Sequence, residues 1–133
     1  MARTRKTEKD IRCPLEYGLD VFGGKWKSRI ICVLVDGPLR YSEIRHDMTN
    51  VTDAALAGAL KELIANGLVH REQFEEIPPR VEYSLTEKGA SVVPVLQHIC
   101  QWSGSFYRES LSNGAQGEEI PRLAKCEHCD YRG

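Results

Sequence analysis

Cys126 and Cys129, with His128 between them, form the densest cluster of metal- and redox-competent side chains in the sequence. Two thiolates at this spacing can grip one zinc ion or close a disulfide. One such pair is only half of a structural zinc site, so Cys13, His128 or a second subunit would have to complete it, and a disordered tail is the stronger alternative. No other cofactor is expected. Cys13 carries a different chemistry. It precedes Pro14, which suits the first position of a helix, and it follows Arg12 at the end of a basic segment. A helix N-terminus and a neighbouring cation stabilise the thiolate, the form that reacts with oxidants and electrophiles. Glu16 opposes this. Cys13 is the candidate redox-sensing residue, weighed against an ordinary semi-buried cysteine. Cys32 and Cys100 lie on apolar stripes and are assigned to the core. Five irregularly spaced cysteines do not make a secreted disulfide framework.

The other chemistry available is contact with a polyanion. Lys25, Lys27 and Arg29 open one helical segment, and Tyr41, Ser42, Arg45 and His46 occupy the next. Helix N-termini and such donors suit phosphate, although any one of them is ordinarily a solvated surface group. Asp53, Ala54, Ala57, Gly58 and Lys61 share one face of a further helix, behind a capping Thr52. Small residues there allow close approach to a major groove. Alanine can touch a thymine methyl, aspartate can accept from cytosine N4, and Lys61 can pair with phosphate. Arg80, beside Pro78 and Pro79, is placed to enter a minor groove.

The elements that hold these residues follow from periodicity and punctuation. Leu15, Leu19 and Phe22 give a first helix, ended by Gly23-Gly24. A second runs from about Lys25 to Val35, where Ile31 and Cys32 widen the apolar surface, which predicts the central, most buried position. Ser42 caps a third short helix ending near Met48, a turn covers Thr49-Asn50-Val51, and Thr52 caps a fourth with a Leu56, Leu60, Leu63, Ile64 stripe. Asn66-Gly67 ends it. Alternation then predicts strands over residues 68–74 and 81–85 around a proline-containing loop. Thr86 caps a last helix with Val92, Val95, Leu96, Ile99, Trp102 and Phe106, which Pro94 should kink or start afresh. The fold class is α+β, mainly α: a winged helix-turn-helix with N- and C-terminal dimerisation helices. Leu15, Leu19, Phe22, Ile99, Trp102 and Phe106 are the dimer-interface candidates, with completion of the monomer core as the alternative. The domain covers residues 13–109, between a basic arm (1–12) and a flexible tail with the CxxC pair (110–133).

The sequence resembles the HxlR family of winged-helix regulators, relatives of the MarR group. The matching words are Cys13-Pro14-Leu15, Gly23-Gly24-Lys25-Trp26, Asp36-Gly37-Pro38-Leu39-Arg40-Tyr41, Leu60-Lys61-Glu62-Leu63 with Gly67-Leu68-Val69, and Pro78-Pro79-Arg80-Val81-Glu82-Tyr83-Ser84-Leu85-Thr86. Their joint order over roughly residues 11–108 is specific. The resemblance implies a homodimer, a double-stranded DNA operator and, in some members, a redox- or electrophile-sensing cysteine near the N-terminus. The small outward face of the fourth helix departs from the longer polar side chains common in that family.

Length and composition fit this reading. With 133 residues, 41% of them hydrophobic and 28% charged, the chain is ordinary for one globular domain. A formal charge of −1 argues against nonspecific coating of nucleic acid, but charge is uneven. Residues 1–12 are basic, whereas residues 72–87 hold five glutamates against Arg80. No run spans a bilayer and no secretory segment follows the basic start, so a cytoplasmic protein without membrane contact is expected. No small-molecule inducer is legible. No phosphate-cradling loop, nucleophile elbow or zinc-protease motif is present, so an enzyme is not expected. The competing readings are a winged helix used for protein association and, behind it, a CxxC thiol-redox protein. The latter is disfavoured because the pair does not follow a strand at the start of a helix.

Overall fold

The computed structural model describes residues 10–114; most of the basic arm and the Cys126/Cys129 pair lie outside the described residues. Five helices and a hairpin follow in the order α1 (Pro14–Phe22), α2 (Lys25–Val33), α3 (Tyr41–Asp47), α4 (Asp53–Ala65), β1 (Val69–Phe74), β2 (Arg80–Leu85) and α5 (Glu87–Gly114).

The core forms where α2 and α4 cross. Ile30, Ile31 and Leu34 from α2 and its end meet Leu56, Leu60 and Leu63 of α4, Ile44 of α3, and Leu68 and Val69. Full burial of each such side chain is worth about 1.5–3 kcal/mol. The apolar content of α2 is thus explained by its central position. Lys27 fastens α1 and α4 to it, donating to the Asp20 carbonyl at 2.6 Å and pairing with Glu62 at 3.1 Å. Lys88 of α5 ties in the other side of α1 through the Tyr17 hydroxyl, 3.0 Å away.

Local chemistry sets the boundaries. The Thr52 hydroxyl accepts from the Ala55 N–H at 3.0 Å and starts α4. Asn50, at φ 66°, makes the turn before it. The end of α4 is a Schellman motif: Leu68 N–H reaches the Leu63 carbonyl, Gly67 N–H reaches that of Ile64, and Gly67 takes φ 80°. The two ends of its 6→1 bond, Leu63 and Leu68, are both fully buried. Thr86 Oγ1 accepts from Gly89 N–H at 3.0 Å and starts α5. A Cβ on Gly89 would stand 2.1 Å from the Leu68 carbonyl oxygen, so only glycine lets α5 approach the wing this closely.

Several boundaries differ from the sequence expectation. Strand β1 starts at Val69 rather than Leu68, and β2 takes in Arg80, expected in the loop, because Arg80 pairs with Phe74 across the ladder. Helix α2 stops at Val33 rather than Val35, because Val35 N–H turns back to Cys32 and Gly37 N–H to Leu34 ahead of Pro38. Helix α3 starts one residue before Ser42: Arg40 is the N-cap, and the Glu43 carboxylate accepts its N–H at 2.8 Å. Helix α5 does not start afresh at Pro94. It runs unbroken through the proline and on to Gly114, past residue 110 where linker composition begins.

The wing is an antiparallel pair in register from Val69↔Leu85 to Phe74↔Arg80. Leu39 adds an isolated bridge to Tyr83, with both backbone bonds made. This fixes the base of the hairpin against the start of α3. Among the described residues, no helix is long and apolar enough to cross a membrane.

Candidate nucleic-acid interface

Helix α4 is divided cleanly. Leu56, Ala59, Leu60 and Leu63 are buried, whereas Thr52, Asp53, Ala54, Ala57, Gly58 and Lys61 are exposed. The small side chains of its outer face leave a cleft of about 320 Å³ against the start of α2, bordered by Gly24, Lys25, Trp26, Ala54 and Gly58. Nothing within 4 Å would obstruct a Cβ on Gly58.

The residues around this face are not equivalent. Tyr41 and Arg45, one turn apart on α3, both reach Asp53 at the first position of α4. Arg45 Nε lies 2.7 Å from Asp53 Oδ1, and the Tyr41 hydroxyl donates to the same oxygen at 3.3 Å. Arg45 Nη1 also donates to the Val51 carbonyl at 2.9 Å. These bonds brace the helix-turn-helix angle, and burial followed by the Asp53 charge raises the Tyr41 pKa. The Asp53 carboxylate, read from sequence as a base acceptor, is therefore already engaged with α3. Lys27 lines the same cleft, but its ammonium is already held by the Asp20 carbonyl and by Glu62 of α4. Lys25, Ser42 and Lys61 are exposed. Lys25 lies 4.7 Å from the centre of the Trp26 ring, so its cation is held near the N-terminus of α2.

Arg80 does not project from the wing. Its guanidinium lies 4.0 Å above the Phe74 ring and is forked onto Glu76, with Nη2 2.7 Å from Oε2 and Nε 3.3 Å from Oε1. Nη1 is bonded to Glu82. The Arg80 hydrogen bonds hold the Glu76 carboxyl below the usual carboxylate range, and the two glutamates raise the arginine pKa in turn.

Two further groups stand apart from α4. Cys13 is exposed at the N-cap of α1. Arg12, beside it, is drawn to Glu16 at 3.1 Å. The apolar candidates divide. Leu15, Leu19, Trp102 and Phe106 are 69%, 54%, 71% and 56% exposed, and Ile99 is exposed too, while Phe22 packs on the core. Trp102 and Phe106 pack at a tilt, with ring planes 44° apart and centroids 5.5 Å apart. Helix α5 carries two seams: Val92 and Leu96 face inward, and Val95, Ile99, Trp102 and Phe106 face solvent.

The sequence pattern of the HxlR-like helix-turn-helix family matches residues 21–111, across the whole of α2 to the wing and into α5. The chain belongs to that family. It is 46% identical over 109 residues to an uncharacterized HTH-type transcriptional regulator of Methanothermobacter thermautotrophicus, covering 82% of this chain and 81% of that one. The oxidised form of the redox regulator HypR superposes with a TM-score of 0.65 at 43% identity, over 70% of this chain and 96% of its own. The reduced form of the transcriptional regulator YodB from Bacillus subtilis gives 0.66 at 38% identity, over 71% and 94%. This HxlR-like chain is accordingly an HTH-type transcriptional regulator, not an enzyme.

Sequence reading located the outer face of this regulator's α4 but missed the partners of its polar candidates: Asp53 for Tyr41 and Arg45, Asp20 and Glu62 for Lys27, and Glu76 and Glu82 for Arg80. The acidic residues were visible around Arg80. Their convergence depends on the hairpin returning Phe74 opposite Arg80, which no spacing rule specifies.

Proposed function

We propose that this regulator acts in the cytoplasm as a homodimer on a double-stranded DNA operator. Helix α4 lies in the major groove, and Ala54, Ala57, Gly58 and Lys61 face the bases and adjacent phosphates. Lys25, Ser42, the helix start at Tyr41, and Arg45 face the sugar–phosphate backbone. Thr52 and Asp53 set the start of α4, and Arg80 meets the minor groove. The observation that carries this reading is the division of α4, whose aliphatic stripe is buried and whose small face is wholly open beside a protruding hairpin. Small side chains suit methyl contacts and shape readout more than long-armed hydrogen bonding. The outward apolar seams of α1 and α5 supply the dimer contact, spacing two α4 helices about 34 Å apart for successive major grooves.

A mobility shift on the DNA upstream of its own gene tests this. Binding should weaken steeply as salt rises, and Arg80→Ala should cost roughly five- to fiftyfold. Salt-insensitive or absent binding would leave protein association as the better account of the winged helix.

Cys13 supplies the sensing step. Its thiolate adds to an electrophile such as a quinone, forming a carbon–sulfur bond as a ring C=C π bond opens and its electron pair passes to the quinone oxygen, which takes a proton from water. Alternatively, it pairs with a second thiol while an oxidant such as diamide takes up the two electrons and two protons released. The support is its exposure at a helix N-cap and the likeness to HypR and YodB. Cys13→Ser should bind DNA as the wild type does but no longer respond to diamide or quinone. A variant that still responds would remove Cys13 from the mechanism.

A further inference from the structure

The wing arginine already holds an anion. Three of its donor positions are taken, by a two-pronged contact from Glu76 and by Glu82, and its flat face is covered by Phe74. The two carboxylates are held differently. Glu82 lies within β2, on the same face as Arg80, and its side chain is 25% exposed. Glu76 lies beyond the end of β1, and its side chain is 48% exposed. It is brought over the guanidinium by a tight turn in which its N–H donates to the Phe74 carbonyl at 3.0 Å. Glu76 can therefore swing into solvent without disturbing the ladder, whereas Glu82 stays and keeps the guanidinium flat on Phe74. The hairpin around them carries Glu72, Glu75, Glu76 and Glu82 against Arg71 and Arg80, so the wing as folded presents excess negative charge to a duplex.

We propose that Glu76 is an affinity-setting residue, occupying the forked anion seat on Arg80 that DNA takes over in the complex. The proposal rests on the DNA-binding reading above. Docking exchanges one carboxylate for the duplex, so the two-pronged Glu76–Arg80 contact has to be given up before DNA can take the seat. That exchange makes the Glu76 carboxylate a cost to binding. Because an exposed ion pair is worth little on its own, the exchange needs no change in the fold. Glu82 and Phe74 then serve as the fixed side of the seat, so that the released arginine stays extended along the wing.

The test uses the full chain and a duplex selected by the wild type from random-sequence DNA, with affinity read by fluorescence anisotropy. Glu76→Gln should bind roughly three- to tenfold more tightly at low salt, with the gain shrinking as salt rises. Glu75→Gln removes the same charge one residue away, where no contact to Arg80 is made, and should change affinity less than about twofold. In an Arg80→Ala background the Glu76→Gln gain should vanish, because the effect passes through the arginine. Glu76→Ala should repeat the gain. Wild-type binding with Glu76→Gln equal to or weaker than wild type overturns the inference, as does a gain that persists without Arg80. A wild-type chain that selects no duplex overturns the functional reading, and this inference with it.

Discussion

Gly58→Glu should abolish operator binding while the domain stays folded. Gly58 lies in the interior of α4 on its open face, and a Cβ there meets nothing within 4 Å. Any side chain at this position therefore projects outward without repacking the core. Replacing a glycine inside a helix recovers about 0.5–1 kcal/mol of helix stability, so Gly58→Ala should melt a few degrees higher than wild type. Glutamate is a good helix former too, and should keep most of that gain. In the groove, however, its carboxylate would stand among phosphates and base-edge acceptors. Like-charge juxtaposition of that kind costs several kcal/mol, which is a loss of about a hundredfold or more in affinity. The informative outcome is the combination of a melting temperature at or above wild type with no shifted band. If Gly58→Glu bound within about threefold of wild type, α4 would not be the element lying in the groove.

The same glycine shows what a linear reading can and cannot provide. Its place on the outer face follows from the Leu56, Leu60, Leu63 stripe, since a helix that buries one face must expose the other. Capping chemistry was equally legible: Thr52, Gly67 and Thr86 act as their types require. The pairings were not. Asp53 meets Arg45 across a turn, Lys27 meets Glu62 from a different helix, and Arg80 meets Glu76 in a hairpin loop. Each depends on the angle between two elements, which periodicity does not contain. Polar residues assigned singly to DNA thus include some whose first partner is the protein itself. The stripe of α5 was likewise legible as apolar but not as two seams, because residues three and four apart diverge steadily around a helix of this length. Nor did Pro94 end it: a proline removes one N–H, and the flanking turns carry the helix on.

Those two seams make the second large effect. Trp102→Asp should convert the protein to a monomer and lower operator affinity by about a hundredfold or more, with secondary structure intact. The side chain is 71% exposed and its ring packs on Phe106, itself 56% exposed, so an aspartate there meets solvent in the isolated subunit. The inward seam, Val92 and Leu96, is untouched. An aromatic side chain buries about 150–250 Å² when covered, and central interface tryptophans typically cost 2 kcal/mol or more when lost. A dimer sees the substitution twice, once from each protomer, and must also bury two unpaired carboxylates. DNA affinity falls with assembly because a single module grips too few phosphates and base edges to hold an operator. Leu19→Asp on α1 should behave in the same way, which would place both end helices in one contact. Phe22 is the wrong position for this test, since it packs on the core and its loss reports on folding. Sedimentation at micromolar protein decides the matter. Trp102→Asp remaining dimeric, with wild-type affinity, would mean that the outward seam of α5 serves something other than self-association.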